Sequence, residues 1–242
     1  MCCNNNYSLC VLKNIVLICA NHGREKVLNL YCAGIKRLRE QADITINAVV
    51  VGDDNSICKR YDIEHVVANN NPVSEKYNIA CQVAKNYNPD YVITMGDDDL
   101  INIELLQHMT QHTDSNFIGV RDIYMYNTIA PHRGQMIYIL SSVIGCCRAM
   151  RSDLLDKVNW KPWVRERDYS LDQIMWSALH KHFVNPYIFI ARDSGGICID
   201  VKSSENLNVF VKWNKMPRVD PKPVLTFLSD EEREILTNII MS

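Results

Sequence analysis

Residues 91–99 have the sequence YVITMGDDD, in which a short apolar segment is followed directly by three aspartates. The segment is typical of a buried strand. Three adjacent carboxylates repel one another, so the run predicts a positive partner, and the first candidate is a divalent metal ion with a phosphate-bearing ligand. Oxygen-only clusters suit Mg²⁺ or Mn²⁺, which take phosphate oxygens as further ligands. The alternative is a turn in which the aspartates bond nearby backbone N–H groups.

Strand-like and helix-like patterns alternate around this run. The predicted strands are residues 14–20, 44–51, 64–68 and 91–95, and the predicted helices are residues 24–41, 74–86 and 101–112. Such alternation implies parallel strands joined by crossovers. The predicted fold class is therefore α/β, with a Rossmann-type, mostly parallel central sheet flanked by helices.

The second half of the chain has a more mixed pattern. Strands are predicted at residues 117–129, 135–144 and 187–191, and helices at residues 152–158 (with residues 145–149 leading into it), 171–181 and from Ser229 onward. We predict a single domain over residues 1–242, made of a first half (14–115), a smaller mixed half (116–215) and a proline-rich linker with a terminal helix (216–242). Ser229 and Glu232 form a capping pattern. The helix is expected to dock loosely or on a second copy of the chain, as a homodimer.

The composition excludes several classes of protein. The 242 residues are 47% hydrophobic and carry a formal net charge of -2, which suits a globular chain with a substantial core. An isoelectric point of about 6.4 leaves no global basic field, so nucleic acid is excluded as a partner and phosphate recognition must be local. No apolar run approaches the roughly 20 residues needed to span a bilayer. We expect a cytoplasmic protein without a signal peptide, with acylation of Cys2 or Cys3 and a peripheral membrane position as the alternative.

Ten cysteines are present, and several lie inside apolar runs. No CxxC pair exists to begin a zinc site, so we interpret them as reduced, mostly buried thiols of an intracellular protein.

Polar clusters follow three of the predicted strands, at residues 21–24, 52–55 and 96–99. Ligands of open parallel sheets bind beyond the carboxyl ends of the strands, so one ligand is expected to touch all three clusters. Asp53 is a candidate acceptor for a ribose hydroxyl or a base, with a simple turn as the alternative. The chain lacks both the GxGxxG dinucleotide motif and the P-loop motif, which argues against nicotinamide and P-loop enzymes.

Three further residues are candidates for the same site. Lys76 lies near the start of a helix that leads into the aspartate run and is a candidate for a phosphate contact or for support of the aspartates. Asn78, in the same helix, is a candidate for fixing a loop. Asp172 opens a predicted helix behind an aromatic, charged loop at residues 160–169, which is a candidate platform for a sugar ring. The helix dipole alone favours a carboxylate there, and the functional alternative is a general base that faces the metal site.

An ordered set of motifs resembles that of the GT-A-fold glycosyltransferases over residues 14–200. The set consists of Ala20-Asn21 and Gly52-Asp53 at strand ends, Lys76 to Asn78 in a helix, the aspartate run, and Asp172 at a helix start. It is most similar to the large inverting family that includes bacterial and viral surface-sugar transferases. The resemblance implies a UDP-sugar donor, a Mn²⁺ or Mg²⁺ ion and a glycan-type acceptor.

The resemblance also implies roles for individual residues. The donor-binding residues are Ala20, Asn21, Asp53, Lys76, Asn78, Asp97 and Asp98; the metal ligands are Asp99 and Asp97; and the catalytic base is Asp172. Within these, Asp53 is assigned to the uracil or ribose, Asp97 to the ribose or donor sugar, and Asp99 to the metal on the diphosphate. If strand geometry persists through the run, Asp97 and Asp99 project to one side and Asp98 away, so we expect Asp98 to be the most replaceable of the three.

The resulting hypothesis is metal-dependent transfer of a hexose from a UDP-sugar to an acceptor hydroxyl, with Asp172 removing the proton. The family often has Glu where this chain has Leu171 and Arg where it has Lys76, and a retaining transferase with the same metal site is the nearest alternative. A sugar nucleotidyltransferase and a non-catalytic nucleotide-sugar-binding module are the remaining ones.

Overall fold

The computed structural model describes residues 14–53, 56–70, 72–204, 210 and 215–241. Its strands are β1 (Asn14–Ala20), β2 (Thr45–Gly52), β3 (Glu64–Val67), β4 (Tyr91–Gly96), β5 (Asp99–Ile101), β6 (Phe117–Val120), β7 (Asp122–Asn127), β8 (Met136–Leu140), β9 (Arg148–Arg151), β10 (Tyr187–Phe189), β11 (Cys198–Lys202) and β12 (Arg218–Val219). Its helices are α1 (Glu25–Gln41), α2 (Ile57–Arg60), α3 (Val73–Ala84), α4 (Ile103–Thr110), α5 (Ser152–Asp156), α6 (Leu171–Leu179), α7 (Pro221–Val224) and α8 (Asp230–Met241).

The larger of two sheets has seven strands in the order β10-β6-β9-β4-β1-β2-β3. Its strands β1 to β4 run parallel to one another, whereas β9 is antiparallel to both of its neighbours. Alternate residues of β1 pack toward α1 on one face and α3 on the other. Burial on both faces explains the uninterrupted apolar run in β1. The predicted α/β class with a mostly parallel central sheet is confirmed.

The smaller sheet has five strands in the order β12-β8-β7-β11-β5 and mixes parallel with antiparallel pairing. The sequence predicts a helix from residue 101, whereas residues 99–101 form β5. Antiparallel pairing with β11 keeps the backbone extended through Ile101. Asn102 then caps α4, because its side chain accepts a hydrogen bond from the Leu105 N–H at 3.1 Å.

Segments from the second half of the chain contribute to both sheets. The single strand predicted at residues 117–129 divides at Arg121 into β6, in the larger sheet, and β7, in the smaller one. Residues 148–151 form β9, between β4 and β6, so residues 145–149 do not lead directly into a helix. The two halves of the chain are therefore interleaved in space.

Helix α8 packs against α1 of the same chain. The predicted capping pattern is confirmed: Glu232 accepts from the Ser229 N–H at 2.7 Å, and its own N–H donates to the Ser229 hydroxyl at 3.2 Å. Glu232 also accepts from Arg37 Nε at 2.8 Å, and both of these side chains are buried. The prediction of loose docking is therefore wrong. A homodimer through α8 remains a prediction, and only the exposed face of the helix is left for it.

The seven cysteines of the described residues are free and buried, as predicted. Cys2, Cys3 and Cys10 lie outside those residues, and so does the predicted acylation. Within the part of the chain that the structure describes, no helix combines the length and apolar character needed to cross a bilayer.

Candidate active site

A cleft of about 810 Å³ opens at the carboxyl ends of β1 and β4. Its size suits a small-molecule ligand. The predicted site residues that line it are Ala20, Asn21, Lys76, Asp97, Asp98, Asp99 and Asp172. Asp53 and Asn78 are not among the lining residues. The fold thus brings two of the three strand-end clusters and the candidate base into one cleft.

Three carboxylates form a tight cluster in this cleft. Asp98, Asp99 and Asp200 each place one carboxylate oxygen within 4.8 Å of the others. Asp99 and Asp200 face each other across the antiparallel pair β5–β11. Asp99 Oδ2 accepts from the Gly96 N–H at 2.5 Å, and Asp200 Oδ2 forms an ion pair with Lys202. Among the described residues, the buried Asp200 Oδ1 has no hydrogen-bond partner.

Asp99 and Asp200 are buried with few cationic partners, which favours their protonated forms. Burial raises the pKa of Asp99 well above its ordinary value, and Cys146, Asp98 and Asp200 raise it further. Burial, followed by the charge of Asp98, raises the pKa of Asp200 to about 7, although Lys202 opposes this shift. Buried carboxylates that cannot all ionise, together with one unpartnered oxygen, fit a hard divalent cation such as Mn²⁺ or Mg²⁺.

The structure corrects the expected orientation of the aspartate run. Asp98, and not Asp97, lies with Asp99, because β4 ends at Gly96 and a turn at residues 97–98 breaks the strand alternation. Asp97 is fully buried and accepts from Asn21 Nδ2 at 2.6 Å and from Arg24 Nε at 3.1 Å. Arg24 also bonds Asp98 Oδ2 at 3.1 Å. The geometry therefore favours Asp98 as the ligand beside Asp99.

Cationic side chains surround the carboxylate cluster. The cleft-lining cations are Arg24, Lys76, Arg148 and Lys202. The Lys76 ammonium donates to the Asn21 carbonyl at 2.7 Å, which holds the end of β1, and burial lowers the pKa of Lys76. Six aspartates also line the cleft, and Arg24, Arg148 and Lys202 are paired with some of them, so these cations offset only part of its negative charge.

Asp53 lies at the end of β2, next to the end of β1. Its carboxylate accepts from the Gly23 N–H at 2.8 Å and from Asn70 Nδ2 at 2.6 Å, and it pairs with His22 at 2.9 Å. The His22 contact, with these other hydrogen bonds, holds the pKa of Asp53 below its ordinary value. The two strand ends approach closely, since a Cβ on Gly52 would lie 2.3 Å from the Asn21 carbonyl oxygen. Asp54 and Asn55, in the same predicted cluster, lie outside the described residues.

Asn78 fixes the aromatic loop at residues 160–169 and does not reach the cleft. Its Nδ2 donates to the Trp163 carbonyl at 2.9 Å, and its Oδ1 accepts from the Trp163 N–H at 3.1 Å. Trp163 lines the cleft and stacks on Tyr77 at 4.9 Å. Trp160 is buried in the core, and its indole donates to Asp156 at 2.8 Å. Trp163 belongs to the same core cluster and is only 5% exposed, so it contributes to the wall of the cleft, and neither tryptophan presents an open face as the predicted sugar platform. Asn78 thus makes the loop-fixing contacts predicted for it, and its assignment to donor binding stays a prediction.

Asp172 lies in the first turn of α6, with its side chain 55% exposed. Its carboxylate is 3.4 Å from Nη1 of the buried Arg148. A Cβ on Gly145 would lie 2.8 Å from Asp172 Oδ1, so the carboxylate fills the space that this glycine leaves. Arg148 is itself fixed by donating to the Ile144 carbonyl at 2.6 Å. Asp172 is thus positioned, and open to a ligand, in the same cleft as the carboxylate cluster.

Three residues of the site are not identified from the sequence: Arg148, Asp200 and Lys202. Asp200 and Lys202 lie in β11, which was not predicted as a strand. The available signal was the sequence CIDVK, in which charged residues interrupt an apolar run. Buried charges are rarely found without a partner, and such an interruption is a reason to look for one.

Comparison with solved structures agrees with this architecture. The mannosyltransferase PcManGT from Pyrobaculum calidifontis, in complex with GDP-Man and Mn²⁺, is 11% identical, with a TM-score of 0.53 over 94% of this chain and 73% of that chain. The inositol-1-phosphate CTP transferase from T. maritima is 10% identical, with a TM-score of 0.47 over 94% and 96% of the two chains. The latter score is too low to carry an argument. No protein-family model and no curated protein matches the chain. At this level of identity the likeness establishes the fold alone: the chain has a GT-A-like α/β fold, which it shares with this mannosyltransferase.

Proposed function

We propose that this protein is a metal-dependent glycosyltransferase that moves a hexose from a nucleotide diphosphate sugar, with a UDP-sugar as the expected donor, to a hydroxyl of a glycan-type acceptor. The observation that carries the proposal is the presence of two distinct acidic groups in one cleft. One is the cluster of Asp98, Asp99 and Asp200, and the other is the separate carboxylate of Asp172. Inverting glycosyl transfer needs a counter-charge for the diphosphate and an acceptor for the hydroxyl proton.

The carboxylate cluster and the surrounding cations suit a diphosphate. Asp98, Asp99 and Asp200 are the residues that would hold Mn²⁺ or Mg²⁺. When bound, such an ion supplies charge neutralisation for the departing nucleotide diphosphate. Arg24 and Lys202 line the same cleft, where they offset part of the charge of Asp97, Asp98 and Asp200, and a metal ion would supply the remaining counter-charge for a diphosphate. The GDP-Man and Mn²⁺ of PcManGT are a precedent for this pairing on the same fold.

Asp172 is the residue we assign to proton removal. Its half-exposed carboxylate can be reached from the cleft, and its ion pair with the buried Arg148 restricts its orientation. A carboxylate so placed can accept the proton of the acceptor hydroxyl as that hydroxyl attacks the anomeric carbon. This assignment implies inversion at that carbon.

The first test is the substitution Asp172→Asn. It should lower transfer by at least about 100-fold, because a general base contributes this much or more, while binding of UDP and Mn²⁺ measured by calorimetry is unchanged. Asp168→Asn is the matched control, since Asp168 lines the same cleft and accepts from the Val73 N–H at 2.9 Å, a bond that Asn can keep. Transfer at the wild-type rate in Asp172→Asn would show that Asp172 is not the base.

The second test separates the alternative functions by their products. Mn²⁺-dependent release of UDP from a UDP-sugar, with the anomeric proton of the product followed by NMR, distinguishes inverting from retaining transfer. Release of pyrophosphate from a nucleoside triphosphate and a sugar 1-phosphate would identify a nucleotidyltransferase. Binding of nucleotide sugars without turnover or hydrolysis would identify a binding module. Either of these last two results would overturn the proposal.

A further inference from the structure

Three buried cysteines meet next to the carboxylate cluster. The Sγ atoms of Cys146 and Cys198 are 3.2 Å apart, and those of Cys147 and Cys198 are 3.4 Å apart. All three sulfur atoms lie within 4.8 Å of one another. The residues are at most 8% exposed. None of the chemistry proposed above uses these thiols.

The backbone conformation at this point brings two consecutive side chains to the same place. Neighbouring residues in an extended chain project to opposite sides, yet Cys146 and Cys147 both approach Cys198. Cys147 has a φ of 56°, in the left-handed region that non-glycine residues adopt infrequently. Its N–H donates to the Thr94 carbonyl at 2.7 Å, which fixes this conformation against β4. An unfavourable backbone conformation that assembles three thiols is evidence for a site.

We propose that Cys146, Cys147 and Cys198 form a thiolate site for one thiophilic divalent cation of the Zn²⁺ type. Soft thiolate ligands select such ions over Mn²⁺ and Mg²⁺, which prefer oxygen. With Zn–S bonds of about 2.3 Å, sulfur atoms around a tetrahedral ion are about 3.8 Å apart. The Cys146–Cys198 and Cys147–Cys198 pairs need to separate by only about 0.4–0.6 Å to reach that spacing. Each thiol that becomes a ligand releases its proton to solvent.

The surroundings of the cluster suit a bound ion. Cys146 lines the cleft, so a fourth position can be filled by a water molecule from that side. Cys198 belongs to β11 in the smaller sheet, while Cys147 directly precedes β9 in the larger one. An ion shared by these residues would join the two sheets beside Asp99 and Asp200. No CxxC pair marks this site in the sequence, because Cys198 lies 52 and 51 positions after the adjacent Cys146 and Cys147.

Cd²⁺ is the probe for this site, because its thiolate complexes absorb in the ultraviolet. Titration of the reduced full-length protein should produce this absorption, saturating at one equivalent, and should raise the melting temperature. Cys198→Ser should abolish the absorption. Cys81→Ser is the matched control, since Cys81 is a buried thiol outside the cluster, and it should retain the absorption. Asp200→Asn should also retain the absorption, because this substitution changes the neighbouring carboxylate cluster and removes no thiol.

A wild-type protein that shows no thiolate absorption with Cd²⁺ would overturn the proposal. Absorption that persists in Cys198→Ser, or that excess Mg²⁺ removes, would do the same. If Cys198→Ser does not fold by circular dichroism, Cys146→Ser, at the edge of the cleft, takes its place. Loss of the absorption in whichever variant folds supports the proposal, and a wild-type protein without the absorption overturns it in either case.

Discussion

Asp200 is the residue whose surroundings point most directly to a cation. Its carboxylate lies with those of Asp98 and Asp99, and only one of its oxygens is paired, with Lys202. Leaving a buried acceptor without a partner costs about 1–3 kcal/mol. A divalent ion would remove this cost and the mutual repulsion of the three carboxylates together. The arrangement is therefore better suited to an ion-bound protein than to an ion-free one.

The identity of the metal ligands can be tested with two neighbouring substitutions. Asp98→Asn should weaken Mn²⁺ binding by at least about tenfold, a loss typical even of residues that only support a metal ligand. Asp97→Asn should largely preserve Mn²⁺ binding, because the Asp97 carboxylate is engaged by Asn21 and Arg24. Calorimetry with Mn²⁺ alone measures both. If Asp97→Asn weakens Mn²⁺ binding more than Asp98→Asn does, the metal ligands are Asp97 and Asp99, as predicted from the sequence.

At the scale of the elements, α8 is held in place by a buried ion pair. The Arg37 guanidinium donates to Glu232 Oε2 at 2.8 Å and to the Ile101 carbonyl at 2.7 Å. It therefore links α8 through α1 to β5, the strand that carries Asp99. The terminal helix thus supports β5 from behind, although it lies outside the cleft.

Glu232→Ala should lower the free energy of unfolding by about 3–5 kcal/mol, because it leaves a buried guanidinium without its counter-charge. The capping contacts with Ser229 are lost in the same variant. Urea unfolding followed by circular dichroism measures the change. Glu231→Ala is the control, since the neighbouring pair of Glu231 with Lys36 is solvent-exposed, and it should destabilise much less. Equal effects of the two variants would contradict a structural role for the buried pair.

The loop at residues 160–169 depends on a second element contact. Asn78→Ala removes both hydrogen bonds to the Trp163 backbone and should lower the free energy of unfolding by about 1–3 kcal/mol, since buried backbone groups lose their partners. Limited proteolysis should also cut this loop faster. Gln82→Ala, on the exposed face of the same helix α3, should change neither quantity. Unchanged proteolysis in Asn78→Ala would show that other contacts, such as the Arg167 N–H to Ser74 hydroxyl bond, suffice to hold the loop.

At the scale of the whole molecule, the cleft lies where the two sheets meet. β4 of the larger sheet leads through the aspartate turn into β5 of the smaller one, and β11 pairs with β5 from the other side. A ligand in the cleft therefore contacts both sheets. Binding should stabilise the whole fold as well as the local turn.

The stabilising effect of Mn²⁺ should depend on pH. In the folded, metal-free protein the pKa of Asp99 is raised and that of Asp200 is about 7, above the values of an unfolded chain. Their contribution to stability is therefore present at low pH and is lost as the pH rises through the folded-state pKa. Because Mn²⁺ takes the place of these protons, the gain in melting temperature on adding Mn²⁺ should grow from about pH 5 to about pH 8. Thermal unfolding at fixed Mn²⁺ measures it, and a gain independent of pH would contradict the assignment of these carboxylates to the metal.

Local patterns were sufficient for much of the fold. β1, β2 and β4 are buried on both faces, so their apolar runs are continuous, and the helically spaced apolar residues of α1 enter the core. Prediction was poorer where pairing overrides local preference. Residues 99–101 become a strand because β11 is available to pair with them, and the segment 117–129 divides because its two parts join different sheets.

The amino-acid sequence by itself determined the α/β class, the parallel strands β1 to β4 and the presence of aspartates at a strand end, because burial and periodicity along the chain encode these features. Only the tertiary structure decided which carboxylates share a site. It placed Asp200 opposite Asp99, engaged Asp97 with Arg24, paired Arg148 with Asp172 and gathered Cys146, Cys147 and Cys198. These contacts depend on strand register and on backbone turns between distant segments, which no local pattern specifies.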